Sequence, residues 1–417
     1  MNRRKKPDSM NGVRSRERVA SVCAVLGVWA VAASGLDSHA FADGDSPREW
    51  YLDSMRASDM WKISTGKGVK VAVVDTGVNP NTPSLRSQVL SQEVAQPASY
   101  GATTDYQGHG TTMAELIAGT GAGGGIKGLA PDAKIVPFRV AMKTMKDADD
   151  RKRTASAAVG IRAAADSEAK IINLSFGGAA AEPGEREAVE YALSKGKLVF
   201  AATGNDEETS GGVLEFPAAF PGVVGVGAAD ASGTVGKFSQ SGNYVDLASP
   251  GLNTLAWCDT TFQEYCNASG TSAASAIASA SAALIWSAHP TWTADQVLRT
   301  MIDTAGRSWD RNTPSKYLGY GLIRPRLVLE KPDIDPGPAD ADPVSPEQGG
   351  SSATPADPAA PAAPDSSAPP KSDPVAKGEE QGDGGGNTPW AIGGVVAGLI
   401  AIGGGVAAAI RSRRRGA

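Results

Sequence analysis

Four continuous apolar runs constrain this 417-residue chain more than any other feature: VKVAVVDTG at 69–77, AKIVPFRV at 133–140, AKIINLSFG at 169–177 and KLVFAATGN at 197–205. None alternates polar with apolar residues, as a strand with one wet face would. Each therefore reads as a strand buried on both faces of a parallel sheet. Parallel strands need crossover connections, and helix-like stretches supply them: GTTMAELIAG after His109, TASAAVGIRAAADSEA at 154–169 and EREAVEYALSKG at 185–196. This repetition predicts an α/β fold, a three-layer αβα sandwich around a mostly parallel central sheet. In such folds the functional residues gather at the carboxyl ends of the strands.

The two ends of the chain are of another kind. Residues 1–18 are rich in Arg and Lys, 19–36 are apolar, and Ala40-Phe41-Ala42 forms a small-x-small cleavage signal, so residues 1–42 read as a signal peptide. Residues 331–389 are rich in Pro, Ala, Asp, Ser and Gly without a single aromatic side chain, the composition of a disordered linker that cannot bury a core. Trp390 to Ile410 carries no charge, and as a helix at about 1.5 Å per residue it would match the ~30 Å hydrocarbon layer of a bilayer. Arg411, Arg413, Arg414 and Arg415 follow in a basic tail, 411–417. By the positive-inside rule the tail stays in the cytoplasm, which predicts a single-pass protein of the cell membrane with its folded part outside. Between the ends lie an N-terminal arm, 43–68, too short to bury a core of its own, and one large domain, 69–330.

Cysteine and charge narrow the chemistry. Beyond the signal peptide only Cys258 and Cys266 remain, an even pair in an oxidising compartment, which predicts one disulfide closing a short loop. With two histidines besides, they show no metal-ligand spacing, so neither a metal nor a cofactor is expected. The net charge of −5 is modest and the cationic residues crowd the ends, which points away from nucleic-acid partners. The charged segment 143–153, KTMKDADDRKR, has two readings, a loop that touches substrate and a solvated connection, and the second is the more ordinary use of such a charge run.

Three points on the predicted scaffold carry chemistry. Asp75 ends the first strand in VVDTGV, His109 opens a helix in GHGTT, and Ser272 opens another in SGTSAA. A serine hydroxyl is a weak nucleophile unless an imidazole takes its proton and a carboxylate holds that imidazole's tautomer, so the three together read as a Ser-His-Asp set. Asp75-Thr76-Gly77 also resembles the triplet of aspartic proteases, but those need two carboxylates and no second D-[ST]-G occurs. Acyl transfer also creates an oxyanion, and Asn205 in AATGN stands at a strand end where it could donate to one; its alternative use is to cap a turn.

DTG, GHGT, AATGN and GTSAA, in that order and at these separations, resemble the subtilisin-like serine proteases over roughly 70–325. The resemblance implies a serine endopeptidase acting on protein or peptide substrates, with Asp75 orienting, His109 as general base and acid, Ser272 as nucleophile and Asn205 as oxyanion donor. It also implies that Ser175, Phe176 and Gly177 of NLSFGG pair with the substrate backbone like an added strand. Structural calcium is common in that family, but no ligand cluster stands out here. Family members often have Met or Phe after the serine and Pro four residues beyond it; Ala273 and Ala276 stand there instead. Signal peptide, Trp-containing arm, protease, Pro-rich linker, one membrane helix and basic tail make a layout similar to the mycosins, membrane-anchored subtilases of type VII secretion. That implies a secretion complex as partner. The alternatives are a structural component of such a complex whose proteolysis is secondary, or a general surface protease.

Overall fold

The computed structural model describes residues 49–344. The predicted signal peptide, the membrane helix at 390–410, the basic tail and most of the linker lie outside the described residues. In chain order the elements are α1 (Trp50–Ser54), α2 (Ala57–Met60), β1 (Lys70–Asp75), α3 (His109–Ala118), β2 (Lys134–Arg139), α4 (Ala148–Arg153), α5 (Ala157–Asp166), β3 (Ile171–Leu174), α6 (Glu185–Ser194), β4 (Leu198–Ala202) and α7 (Glu207–Ser210). They continue as β5 (Val224–Ala229), β6 (Leu247–Pro250), β7 (Thr254–Trp257), β8 (Tyr265–Ala268), α8 (Thr271–Ala288), α9 (Ala294–Thr304) and α10 (Pro325–Leu329).

β1 to β6 form one sheet in the order β2-β1-β3-β4-β5-β6, with every neighbouring pair parallel. Side chains alternate across it. Val71 and Val73 enter the core shared with α3 and α8, whereas Ala72 and Val74 enter a second core with Ile161 of α5 and Val189 of α6. The four apolar runs are continuous because both faces are covered, which is the reason the sandwich has three layers. β5 and β6 were not expected from the sequence: glycine alternates with apolar residues in VGVGAA, and LASP is only four residues long, so neither reads as an apolar run. β7 and β8 make a separate antiparallel hairpin closed by the disulfide between Cys258 and Cys266.

α8 runs through the middle of the larger core, and almost every residue from Thr271 to Trp286 is buried. Its Ala and Ser side chains let it lie close against β3, β4 and β5. Among the described residues it is the one helix long and apolar enough to cross a membrane, but it is 83% buried inside the domain and serves as a core helix. Lacking proline at 276, it still runs unbroken from Thr271. The arm packs on the same core: Tyr51 and Met60 are fully buried, and the indoles of Trp50 and Trp61 donate to the carbonyls of Leu252 and Leu129, each at 2.8 Å.

Two segments carry more local order than their composition suggests. The first residues of the expected linker, 331–344, lie along α9, where Gln296 and Arg299 donate to the carbonyls of Gly337 and Ala341 and Val344 is buried. A proline-rich segment can be held this way because its carbonyls need only donors, and α9 presents them. The charged segment 143–153 includes a helix, α4, started by the Asp147 carboxylate, which accepts from the amides of Asp149 and Asp150. Arg139 reaches from β2 to Asp150 and fixes this helix to the sheet.

Candidate active site

In the sheet β1 connects outward to β2 and its neighbour β3 connects the other way to β4, so the chain leaves the carboxyl ends of β1 and β3 in opposite directions and opens a crevice there. Asp75 is the last residue of β1, Ser175 the first after β3, and α8 starts nearby. A cleft of about 410 Å³ results, lined by His109, Ser272, Asn205 and the segment Ser175, Phe176 and Gly177. Asp75 stands behind His109 with no exposed surface. The structure thus gathers the residues singled out in four separate sequence motifs.

His109 Nδ1 lies 2.7 Å from Asp75 Oδ1. A carboxylate only accepts, so the proton sits on Nδ1 and Nε2 keeps its lone pair for another partner. The Asp75 carboxylate also accepts from the Thr76 amide at 2.7 Å, while its Oδ2 is buried without a hydrogen bond among the described residues. Close approach of helix and strand depends on Gly110: a Cβ there would fall 2.2 Å from the carbonyl oxygen of Gly77 and 3.0 Å from the Asp75 Cβ. Burial by itself pushes the His109 imidazolium's pKa down, but the charge and hydrogen bond of Asp75, helped by Asp105, outweigh it and leave the pKa raised.

Asp105 organises the turn into α3. Its carboxylate accepts from Gly108 N and Thr111 N, both at 2.8 Å, and from the hydroxyls of Thr76 and Thr111, both at 2.7 Å. Gly108, the residue that caps α3, has no side chain to satisfy these amides, so Asp105 does it from outside the helix. The hairpin braces the other side of α3: Trp257 N donates to Thr112 Oγ1 at 3.1 Å and Tyr265 Oη to Glu115 Oε2 at 3.0 Å. Burial pushes the Glu115 carboxyl up to about 7, against the pull of the Thr82 and Tyr265 hydroxyls.

The Ser272 hydroxyl donates to the Ser175 carbonyl at 2.9 Å and makes no hydrogen bond to His109 among the described residues. That bond holds the hydroxyl away from the imidazole, and a rotation of about 120° about Cα–Cβ leads to the next staggered position. Asn205 Oδ1 accepts from the Thr271 amide at 2.9 Å and its hydroxyl at 3.0 Å. That orientation caps the start of α8 and leaves the Nδ2 donor near Gly270, where a Cβ would lie 3.6 Å away. Both uses weighed for Asn205 from the sequence, a cap and a free donor, are therefore open to the same side chain.

Ser175 is itself buried; its hydroxyl bridges Asn173 Oδ1 and the Ser272 carbonyl, each at 2.9 Å. Asn173 in turn donates to Ser275 and Ser279 of α8 at 3.0 and 3.2 Å. These bonds key α8 to β3 at one register, because leaving such buried amides unmatched would cost about 1–3 kcal/mol each. The β3–β4 ladder ends at Leu174, and Gly178 pairs with Phe216, so Ser175 to Gly177 run along the cleft between two pairings. Cys258 and Cys266 lie on the hairpin flanking α3, and His289 stacks on Trp292 at the opposite end of α8.

Asp105 and Asn173 were missed in the sequence. A polar Asn inside the apolar run KIINLSF was the available signal, since a buried amide demands partners. Asp105 gave none, because an acid four residues before a histidine has many ordinary uses.

Comparison with known proteins agrees with this geometry. Residues 66–321 match the subtilase family, peptidase family S8. Thermitase of Thermoactinomyces vulgaris is 35% identical over 234 residues, 55% of this chain and 78% of that protein. Subtilisin BL of Lederbergia lenta is 33% identical over 259 residues, 62% of this chain and 90% of that protein. Among solved structures, MycP1 from Mycobacterium smegmatis superposes with a TM-score of 0.57 at 26% identity, covering 72% of this chain and 89% of that one. A structure of MycP1 described as an essential component of the type VII (ESX-1) secretion system gives a TM-score of 0.56 at 30% identity, over 69% of this chain and 90% of that one. The chain shares its central domain with both groups, and it belongs to the subtilase family of serine endopeptidases.

Proposed function

We propose that this protein is a membrane-anchored, extracytoplasmic endopeptidase in which Ser272 attacks the substrate carbonyl, His109 carries the proton and Asp75 holds His109. The observation that carries the reading is the 2.7 Å contact between His109 Nδ1 and a fully buried Asp75 carboxylate, at the mouth of a cleft that Ser272 also lines. In the resting state the Ser272 hydroxyl is engaged by the Ser175 carbonyl. Substrate entering along Ser175 to Gly177 competes for that carbonyl's surroundings, and the hydroxyl turns to Nε2 of His109, which accepts its proton as the bond to the acyl carbon forms. Negative charge then builds on the former carbonyl oxygen, where Asn205 Nδ2 and the Ser272 amide at the N-terminus of α8 donate to it. His109 returns the proton to the leaving amine, and water completes the cycle by the same path in reverse.

Asn205→Ala removes a donor to the developing charge together with the Oδ1 that accepts from Thr271, so turnover is expected to fall by at least the order of 10²–10³-fold with little change in KM. Loss of binding without loss of turnover would overturn the role given to Asn205. The anchor is supported by the uncharged segment 390–410 followed by four arginines, and the secretion role by the likeness to MycP1 and by the arm-protease-linker-helix layout. One experiment tests the proposal: a fluorescent phosphonate reacting with activated serines is applied to host membranes and to the soluble fraction. A labelled band in membranes, its adduct on Ser272 by mass spectrometry, is expected; labelling elsewhere, or none, would remove the reading.

A further inference from the structure

The cleft continues past Ser272 between two walls, Ser175 to Gly177 after β3 and Ala202, Gly204 and Asn205 at the end of β4. Glu215 lines it between them. This residue is only 7% exposed, and a Cβ on Gly177 would lie 3.3 Å from its Oε2. A Cβ on Gly204 would lie 2.6 Å from its Cγ, so glycine in each wall makes room for this one carboxylate.

Buried carboxylates in folded proteins are almost always paired or hydrogen-bonded. Glu215 is not: among the described residues no hydrogen bond or ion pair engages its carboxyl group, and burial together with the nearby Asp206 carboxylate pushes its pKa up. Asp206, Glu182 and Glu185 line the same cleft, and Lys143 is the only lysine or arginine among the described residues that does. The fold thus maintains a largely buried carboxylate, without a hydrogen bond or ion pair among the described residues, in a cleft whose lining carries four acidic side chains and one lysine.

A substrate can supply one. Its acyl carbon must come within about 3 Å of Ser272 Oγ, with the oxygen toward Asn205. The side chain of that same residue then enters the slot between the walls, toward Glu215. We infer that Glu215 makes this protease select lysine or arginine as the residue immediately before the cleaved bond, its carboxylate receiving the cationic head group. This rests on the assignment of Ser272 and Asn205 above. The unbranched stem of either residue passes the glycine and alanine of the walls, and the head group finds the unpaired acid at the end. Arginine adds a planar fork that two carboxylate oxygens can match.

The test uses the full chain in detergent micelles and a set of fluorogenic peptides that differ only before the scissile bond: Arg, Lys, Leu, Phe and citrulline, the neutral isostere of Arg. Cleavage of the Arg and Lys peptides with kcat/KM on the order of 10²- to 10³-fold above citrulline is expected, the range for leaving one partner of a buried charge pair unmatched. In Glu215→Gln, which keeps the shape and removes the charge, the Arg-to-citrulline ratio should fall toward one. If the native enzyme cleaves citrulline or Leu as well as Arg, or if the ratio survives the substitution, the inference is wrong. A native profile without cationic preference overturns the inference even if that variant does not fold, and Glu215→Ala, whose Arg-to-citrulline ratio should also fall toward one, then tests the assignment to this residue. Phosphonate labelling of Ser272 without cationic preference would overturn only the role of Glu215; failure of both labelling and cleavage would overturn the catalytic assignment beneath it.

Discussion

Ser272→Ala and His109→Ala are each expected to lose on the order of 10⁶-fold in turnover, and the double variant is expected to lose no more. This is the size of effect established for the same kind of unit in subtilisin, a member of this family. The non-additivity is physical: without the imidazole the hydroxyl stays protonated and unreactive, and without the hydroxyl the imidazole has no proton to take. Residual activity should remain above the uncatalysed rate, because Asn205, the α8 amides and the cleft are untouched. Ser272→Ala removes one oxygen whose hydrogen bond goes to the Ser175 carbonyl at the cleft wall, so folding should be unaffected. Measured peptidase rates that multiply across the two single variants would show that the residues act independently and would end the assignment. The same Ser272→Ala chain, compared with a deletion in the host, separates protease from scaffold. Secretion retained in the variant and lost in the deletion would mean that the presence of the chain, rather than its proteolysis, is what the host needs, in line with the proposed secretion role.

Replacing Asp75 by Asn should lower turnover on the order of 10⁴-fold while leaving the backbone in place, since an amide no longer fixes the Nδ1–H tautomer of His109. The pH profile should change as well. In the native enzyme the imidazolium is held to higher pH than usual, because the Asp75 charge and hydrogen bond outweigh the opposing effect of burial. Base catalysis needs the neutral ring, so kcat/KM should rise as pH increases through that raised pKa. In the Asp75→Asn variant the burial effect dominates, the imidazolium loses its proton earlier, and the limb should move to lower pH. A limb that stays fixed while the rate falls would mean that another group titrates it. Stability has its own sign: a histidine whose folded pKa is raised adds stability below its unfolded value near 6.5, and that contribution is lost as pH rises through the folded pKa.

How much of this was legible before the fold was known depends on distance along the chain. The apolar runs gave four of the six strands of the sheet, because a strand covered on both faces leaves an unbroken local pattern. β5 and β6 left none: glycine interrupts the first, and the second is too short to register. Asp75, His109, Asn205 and Ser272 stood out by their neighbours, since each sits beside glycines or small residues that permit a tight approach. Cys258 and Cys266 were paired by arithmetic, and the hairpin now joins them.

The amino-acid sequence by itself determined the layer architecture, the order of the chemical groups and the contrast between a folded middle and compositionally biased ends. All of these are local properties, written in the period of apolar residues and in short motifs. Only the tertiary structure decided which distant groups meet. Asp105 reaches back to cap α3, Asn173 locks α8 through Ser275 and Ser279, and residues 331–344 lie along α9 instead of leaving the domain at once. Glu215 is the clearest instance, because nothing around it in LEFPAAF marks it as special. Its meaning comes from being buried between two walls built of other segments without an ion pair among the described residues, and burial and pairing are properties of three-dimensional neighbours that no stretch of sequence can state.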